Sequence, residues 1–382
     1  MNNDKRIFAR YQRIILILIG LMVAGLFESG IRLLSAYDVL HIKTYPVDVQ
    51  PRFIDVIDPV VGMWHHAAVS GYAHTLPCRT AFYSTNAQGA RDPARAEQSA
   101  QFRVVVLGDS FIEGRAVSDG DRLTDRLERT FQRPFLNFGC AGFSPIQEWL
   151  IYEKLASRFD HQEIHLYILP ANDFDDMNPD FPITNRFYRP YLRHSGQSFE
   201  LYYTKKFNKD LRTTDLSVSK RIMNILSNNW YTYNVIRQGV AAIRQRKLNT
   251  TTRNTPDRPG SYSNRPADEL LDYALYSYGN IIKQAKGRPV RFFIIPDPVD
   301  FRVLRSSGYH FPLIDRLLAI QQQYDNVTVH DLLPDMNAEL ERRNLEIADI
   351  FVPCDGHWNE LGHELAALSV ASVVGAAWQE LP

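Results

Sequence analysis

Three short motifs, far apart in the chain, carry the groups of an acyl-transfer site: Gly108-Asp109-Ser110, Ala171-Asn172-Asp173 and Asp355-Gly356-His357. Ser110 offers a hydroxyl nucleophile, which is weak until a base takes its proton. His357 is such a base. Asp355, two residues before it, is placed to hold the imidazole in the tautomer that accepts the serine proton. Asn172 offers a side-chain amide that can donate to a developing oxyanion. Ser110, at a strand-to-helix turn, also brings its own backbone N–H. A glycine N–H in the run Asn137-Phe138-Gly139-Cys140-Ala141-Gly142 supplies a third donor. Gly142 takes that role and Gly139 makes the turn, with the opposite assignment left open. The catalytic set is Ser110, His357 and Asp355; the oxyanion set is Ser110, Gly142 and Asn172. Each motif also has an ordinary reading: a capping serine, an Asn-Asp turn, a polar loop ahead of a helix. Their order along the chain carries the inference. This chemistry requires no metal and no cofactor.

The elements that must position these residues alternate in type. Arg103 to Leu107 is a compact β-branched run ended by Gly108, as a buried parallel strand requires. Leu123, Leu127 and Phe131 recur at helical spacing. Phe135 to Phe138 reads as a second strand. Ser144 and Pro145 open a helix from Ile146 to Phe159. Ile164 to Leu169 is a third strand, and a fourth runs from Val290 to Ile295 after a helix near Ala267 to Lys286. A helix from Pro312 to Tyr324, a short strand at Val327 to His330 and a long helix from Asn359 to Trp378 complete the rhythm. Such alternation predicts a mainly parallel sheet covered on both faces, an α/β sandwich of three layers. Right-handed crossovers then collect the carboxyl ends of the strands, and with them Gly108, Gly142, Asn172 and Pro296, on one edge.

Five segments follow: 1–35, a basic tail and apolar helix; 36–100, loops and short strands; 101–180, the first half of the core; 181–266, an insertion with a helical stretch around Val218 to Arg244 and a polar, Pro-rich loop; and 267–382, the second half. The run Ile14 to Phe27 is apolar and follows Lys5, Arg6, Arg10 and Arg13. It is shorter than the roughly 20 residues of a full span, and extending it to Leu34 takes in Glu28 and Arg32 near the far interface. The basic residues predict a cytoplasmic N-terminus with the remainder outside the cytoplasm, in the periplasm or extracellular space, anchored in the membrane. Cleavage as a signal peptide after Leu34-Ser35-Ala36 is the rival reading.

Lys+Arg and Asp+Glu both total 43 in the 382-residue chain, which removes any global electrostatic case for nucleic acid as a partner. Cys78, Cys140 and Cys354 do not make a disulfide framework; they read either as one bridge or as buried thiols. His65-His66 has no cysteine or carboxylate at metal-ligand spacing and reads as a loop. Asp173, Asp175 and Asp176 read as a solvated acidic loop rather than a calcium site. Asn249 and Asn326 begin sequons.

With the four blocks in place, the chain resembles the SGNH (GDSL-type) hydrolase superfamily. Ser110 matches the nucleophile block in Leu107-Gly108-Asp109-Ser110-Phe111, and Gly142 the glycine block. Asn172 matches the asparagine block, and Asp355 with His357 the last. The resemblance covers roughly Phe102 to Asp180 and Ala267 to Leu381. It implies a flavodoxin-like three-layer sandwich, serine ester hydrolysis and the site roles given above. The chain departs from the family at Ala171, where a glycine is usual, and in the single residue between Asp355 and His357, where two are usual. That closer spacing resembles the branch of alginate O-acetyltransferases and other membrane-anchored proteins of polysaccharide export. So does the stretch Ser84-Thr85-Asn86-Ala87-Gln88-Gly89-Ala90-Arg91-Asp92. The branch implies an acylated saccharide, an O-acetyl ester, as substrate and polysaccharide-export partners. It leaves open hydrolysis or transfer to a sugar hydroxyl. Two rivals of other classes are a non-catalytic glycan- or partner-binding protein and a metal phosphoesterase using Asp109, Asn172, Asp355 and His357.

Overall fold

The computed structural model describes residues 2–37, 54–76, 79–181, 188–196, 198–204, 226, 230–236, 239, 268–307, 312–353 and 356–379. The chain divides into two compact units, 1–48 with 216–256 and 49–215 with 257–382. In the first, α1 (Asn2–Ala36) is one long helix whose apolar side chains from Ile14 to Leu26 are exposed. It is long and apolar enough to cross a membrane. Glu28 on α1 accepts the backbone N–H groups of Tyr231 and Thr232, both at 2.9 Å, and so caps the helical residues 231–236. Most of the expected helical stretch from Val218 to Arg244 lies outside the described residues.

The second unit is built on five parallel strands: β5 (Val104–Leu107), β6 (Phe135–Asn137), β7 (Glu163–Ile168), β10 (Val290–Ile294) and β11 (Val327–Asp331). Their spatial order is β11-β10-β7-β5-β6. Every residue of β5, β6 and β7 is buried, and β5 accordingly reads as a continuous apolar run instead of an alternating one. The chain winds outward from β5 to β6, then reverses and crosses to β7, β10 and β11. The reversal makes the gap between β5 and β7 the switch point, where α/β folds hold their ligands.

Helices cover both faces. On one, α4 (Pro145–Lys154) packs against α6 (Asp268–Ala285); on the other, α10 (Glu360–Gln379) packs against α3 (Leu123–Phe131) and α9 (Leu332–Arg343). The length and apolarity of α10 would also suit a membrane span, but Leu365, Ala366, Val370 and Val374 are buried in the core. Ser144 has extended backbone angles and Pro145 opens α4, as their order predicts. Gln147 closes the cap by accepting the Ser144 N–H at 3.3 Å.

The sequence left some elements unread. They are α7 (Pro298–Ser307), α9, the single turns α2 (Ser110–Glu113) and α5 (Asp173–Asp176), and the hairpin β8 (Pro190–Ser195) to β9 (Ser198–Tyr203). The segment before β5 forms two further hairpins, β1 (Ile54–Asp58) with β2 (Gly62–His65) and β3 (Ser70–Leu76) with β4 (Arg79–Ser84). The remaining helix, α8 (Pro312–Leu318), gives way to a 3-10 turn before β11.

Candidate active site

Gly108 ends β5 because no side chain fits there: a Cβ would lie 2.5 Å from Ile112 Cγ1. The chain turns at once into α2, and Asp109 caps it by accepting the Phe111 N–H at 2.9 Å. Ser110 is therefore held on a short, buried turn beyond the end of β5.

The glycine run after β6 resolves into two roles. A Cβ on Gly139 would lie 2.6 Å from the Glu113 nitrogen, so Gly139 permits close backbone packing against α2. Its N–H is taken by Asn137 Oδ1 at 2.9 Å. Gly142 has φ of +75° and open space where a Cβ would be. Its N–H, like that of Ser110, has no hydrogen-bond partner among the described residues. The loop is braced to the nucleophile turn at two points. Cys140 N–H donates to Gly108 O at 3.2 Å, and Ala141 N–H donates to the Glu113 carboxylate. Arg189 Nη2 holds the Gly142 carbonyl at 2.5 Å.

The base arrives from the far end of the chain. Val352 N–H donates to His357 O at 2.7 Å, and Phe351 pairs with Trp358 in an isolated antiparallel bridge. Gly356 takes φ of +91°. The His357 ring stacks on Phe111 at 4.9 Å, with 28° between planes. Its Nε2 lies 2.7 Å from Ser110 Oγ. Asp109 Oδ2 lies farther from the same hydroxyl, at 3.3 Å, so the imidazole is the better placed acceptor of its proton. Asp355 lies outside the described residues, as do Cys78 and Cys354.

Asn172, following β7, donates its amide to Asp109 Oδ2 at 3.4 Å. The structure thus brings Ser110, His357, Asp109 and Asn172 into one chain of contacts, with the Gly142 loop tied to the same turn. Behind them lies a buried acidic region. Burial pushes up the carboxyls of Asp109, Glu148 and Asp173, and the Asp109 charge raises the other two further. Glu148 and Asp173 are accordingly held toward their neutral forms, which keeps negative charge from accumulating beside the serine. Asp176 is raised to about 7 by burial, against the Arg189 charge. Asp173 and Asp176 are therefore not a solvated acidic loop. The backbone turn of α5 sends them inward, and Asp173 Oδ2 accepts the Leu169 N–H at 2.7 Å.

Sequence reasoning missed Glu113, Arg189 and Phe111. Glu113 lies three residues past the serine, on the same turn. Arg189 comes from the segment read as an insertion, where no pattern marks it. His65 is also misread as a loop residue: it lies in β2 and is buried beside Glu113 and Cys140. Burial pushes the Cys140 thiol up. Of the sequons, Asn249 lies outside the described residues, and the Asn326 amide donates to Arg288 O at 2.7 Å.

No family model and no curated protein matches the chain. Among solved structures, it is similar to a lipolytic protein of the G-D-S-L family from Veillonella parvula DSM 2008. That match has 13% identity and a TM-score of 0.34, and covers 71% of this chain and 97% of that one. A G-D-S-L protein from Desulfitobacterium hafniense DCB-2 aligns at 10% identity and TM-score 0.35, over 71% and 98%. A two-domain esterase active on acetylated mannans aligns at 12% identity and TM-score 0.38, over 74% of this chain and 51% of that one.

Proposed function

We propose that the protein is a serine ester hydrolase of the SGNH type, acting on acyl groups of exported saccharides. The observation that carries the reading is the 2.7 Å contact between Ser110 Oγ and His357 Nε2. In the reaction, Nε2 takes the hydroxyl proton as Oγ attacks the ester carbonyl. The Ser110 and Gly142 N–H groups and the Asn172 amide receive the oxyanion. Collapse of the tetrahedral intermediate breaks the C–O bond to the sugar, whose oxygen takes the proton from His357. Water, activated by the same imidazole, then releases the acid. Asp355 orients His357 and stabilises the imidazolium. The O-acetyl saccharide, the export partners and a catalytic unit outside the cytoplasm rest on the branch resemblance and on the basic residues ahead of α1.

The test is labelling with a fluorophosphonate. The wild type labels and Ser110→Ala does not. Equal labelling of the variant, or none of the wild type, overturns the reading. Acetate release from a chromogenic ester, with and without an oligosaccharide acceptor, separates hydrolysis from acetyl transfer by the same site. A function that survives Ser110→Ala points to a binding protein on this fold, and phosphoester hydrolysis that is lost on chelation points to the phosphoesterase.

A further inference from the structure

Beneath the glycine loop, three side chains from distant parts of the chain converge: His65 from β2, Glu113 from the nucleophile turn and Cys140 from the loop after β6. Their ligand atoms all lie within 4.8 Å of one another, and all three residues are buried. His65 Nδ1 lies 3.0 Å from Gly89 O. A carbonyl oxygen only accepts, so Nδ1 carries the ring proton and the Nε2 lone pair points away from it, toward Glu113. There Nε2 stands 3.3 Å from Glu113 Oε2 but makes no hydrogen bond to it. Two acceptors that close in a dry pocket repel unless a cation lies between them. Glu113 Oε1 is likewise buried without a partner. The nearby Arg91 does not supply the cation. Its charge and that of Arg115 act on Glu113, but the Arg91 donors go to the carbonyls of Phe82, Glu113, Gly114 and Val117, and it pairs with Asp119 at 3.0 Å.

We propose that His65 Nε2, a Glu113 carboxylate oxygen and Cys140 Sγ bind a zinc-class divalent cation, which staples the N-terminal hairpin to the nucleophile turn and the glycine loop. The donor set is nitrogen, oxygen and sulfur, the mixture that suits a tetrahedral zinc-class ion. At metal–ligand distances of about 2.0–2.2 Å, neighbouring tetrahedral ligands stand ~3.3 Å apart. The His65 to Glu113 separation is of that size. The outer partners are also in place: Gly89 O on the far nitrogen of His65 and Ala141 N–H on the Glu113 carboxylate. Binding expels the Cys140 thiol proton to solvent, and the dication is then balanced by one carboxylate and one thiolate. The ion takes no part in acyl transfer. It fixes Cys140 and Ala141, and through them the Gly142 N–H.

The experiment uses the full chain in detergent, purified without chelator. Mass spectrometry is expected to find about one zinc per chain. After exchange, cobalt(II) is expected to give a thiolate-to-cobalt absorption band. Cys140→Ser removes the band, and His65→Gln lowers cobalt affinity at least tenfold. Near-UV circular dichroism reports whether each preparation is folded. A folded wild type with no stoichiometric zinc and no cobalt–thiolate band overturns the proposal and leaves a proton between His65 and Glu113. A band that survives Cys140→Ser overturns it too, since the sulfur ligand is then another cysteine. Loss of fluorophosphonate labelling with the metal signals intact would count against the catalytic reading alone.

Discussion

The two sides of the candidate site are built in different ways. On the nucleophile side, Ser110 and Gly142 sit on turns that grow out of fully buried strands. Gly139 backbone packs against α2, and the Ala141 and Cys140 amides are tied to Glu113 and Gly108. On the base side, Phe351 pairs with Trp358 in an isolated bridge and the His357 ring stacks on Phe111. The donor turns thus grow out of the sheet, whereas the imidazole comes from the far end of the chain and stacks on the Phe111 ring. Preorganised donors stabilise charge without reorganising during reaction, so the nucleophile side is where oxyanion stabilisation belongs.

The largest test of this contrast removes the group on which both sides converge. Ser110→Ala is expected to lower kcat by about 10⁴ to 10⁶-fold with the fold unchanged, as for nucleophile loss in comparable sites. A smaller loss would remove the serine from the chemistry. Next, Asn172→Ala should cost roughly 10² to 10³ in kcat, the usual cost of one oxyanion donor, with KM little changed. If KM rises while kcat holds, Asn172 binds substrate and does not stabilise the transition state. Arg189→Met, which frees the Gly142 carbonyl, should lower kcat by at most roughly 10- to 10²-fold, since a charged hydrogen bond contributes about 1.5–3 kcal/mol. On the base side, Phe111→Leu removes a ring stack of about 0.5–1.5 kcal/mol and should reduce kcat only a few-fold. A larger effect than that of Arg189→Met would reverse the contrast.

One residue joins the two sides. His363, on α10 just past the base loop, accepts the Leu123 N–H at 3.2 Å from α3. Burial lowers its pKa to about 3, against an ordinary 6.5. Its folded-state value is depressed, so the unfolded chain binds the proton more readily. The resulting stability is complete above pH 6.5 and is lost as pH falls toward 3. His363→Gln keeps an acceptor for Leu123 but cannot charge. Urea midpoints should match the wild type least well at low pH, where the variant loses less stability. Parallel decline of both proteins from pH 7 to pH 4 would count against His363 as a source of acid sensitivity.

The sheet was legible because its signal is local. Apolar runs such as Val104 to Leu107 and Ile164 to Ile168 are buried on both faces, and the boundaries fall at Gly108 and just before Pro170. The amphipathic helix Leu123–Phe131 has the limits its spacing predicts. Helix α9 was not legible, because its apolar positions Leu332, Leu333, Met336 and Leu340 are diluted by charge and a proline at its start. The acidic residues after Asn172 misled for a related reason. Composition gives their polarity, but the turn of α5 decides that Asp173 points inward.

For the site, the types and order of Ser110, Gly142, Asn172 and His357 were fixed by sequence, because a nucleophile, donors and a base are recognisable from their chemistry alone. What only the folded chain decided is distance. Nothing along the sequence relates residue 110 to residue 357, and a parallel sheet with its switch point between β5 and β7 places them 2.7 Å apart. Gly139 and Gly142 likewise differ in space, since a Cβ at Gly139 would collide with Glu113 and one at Gly142 would meet nothing. His65, Glu113 and Cys140 are the extreme case. They share no motif and no spacing, and only close packing of three separate segments makes them neighbours.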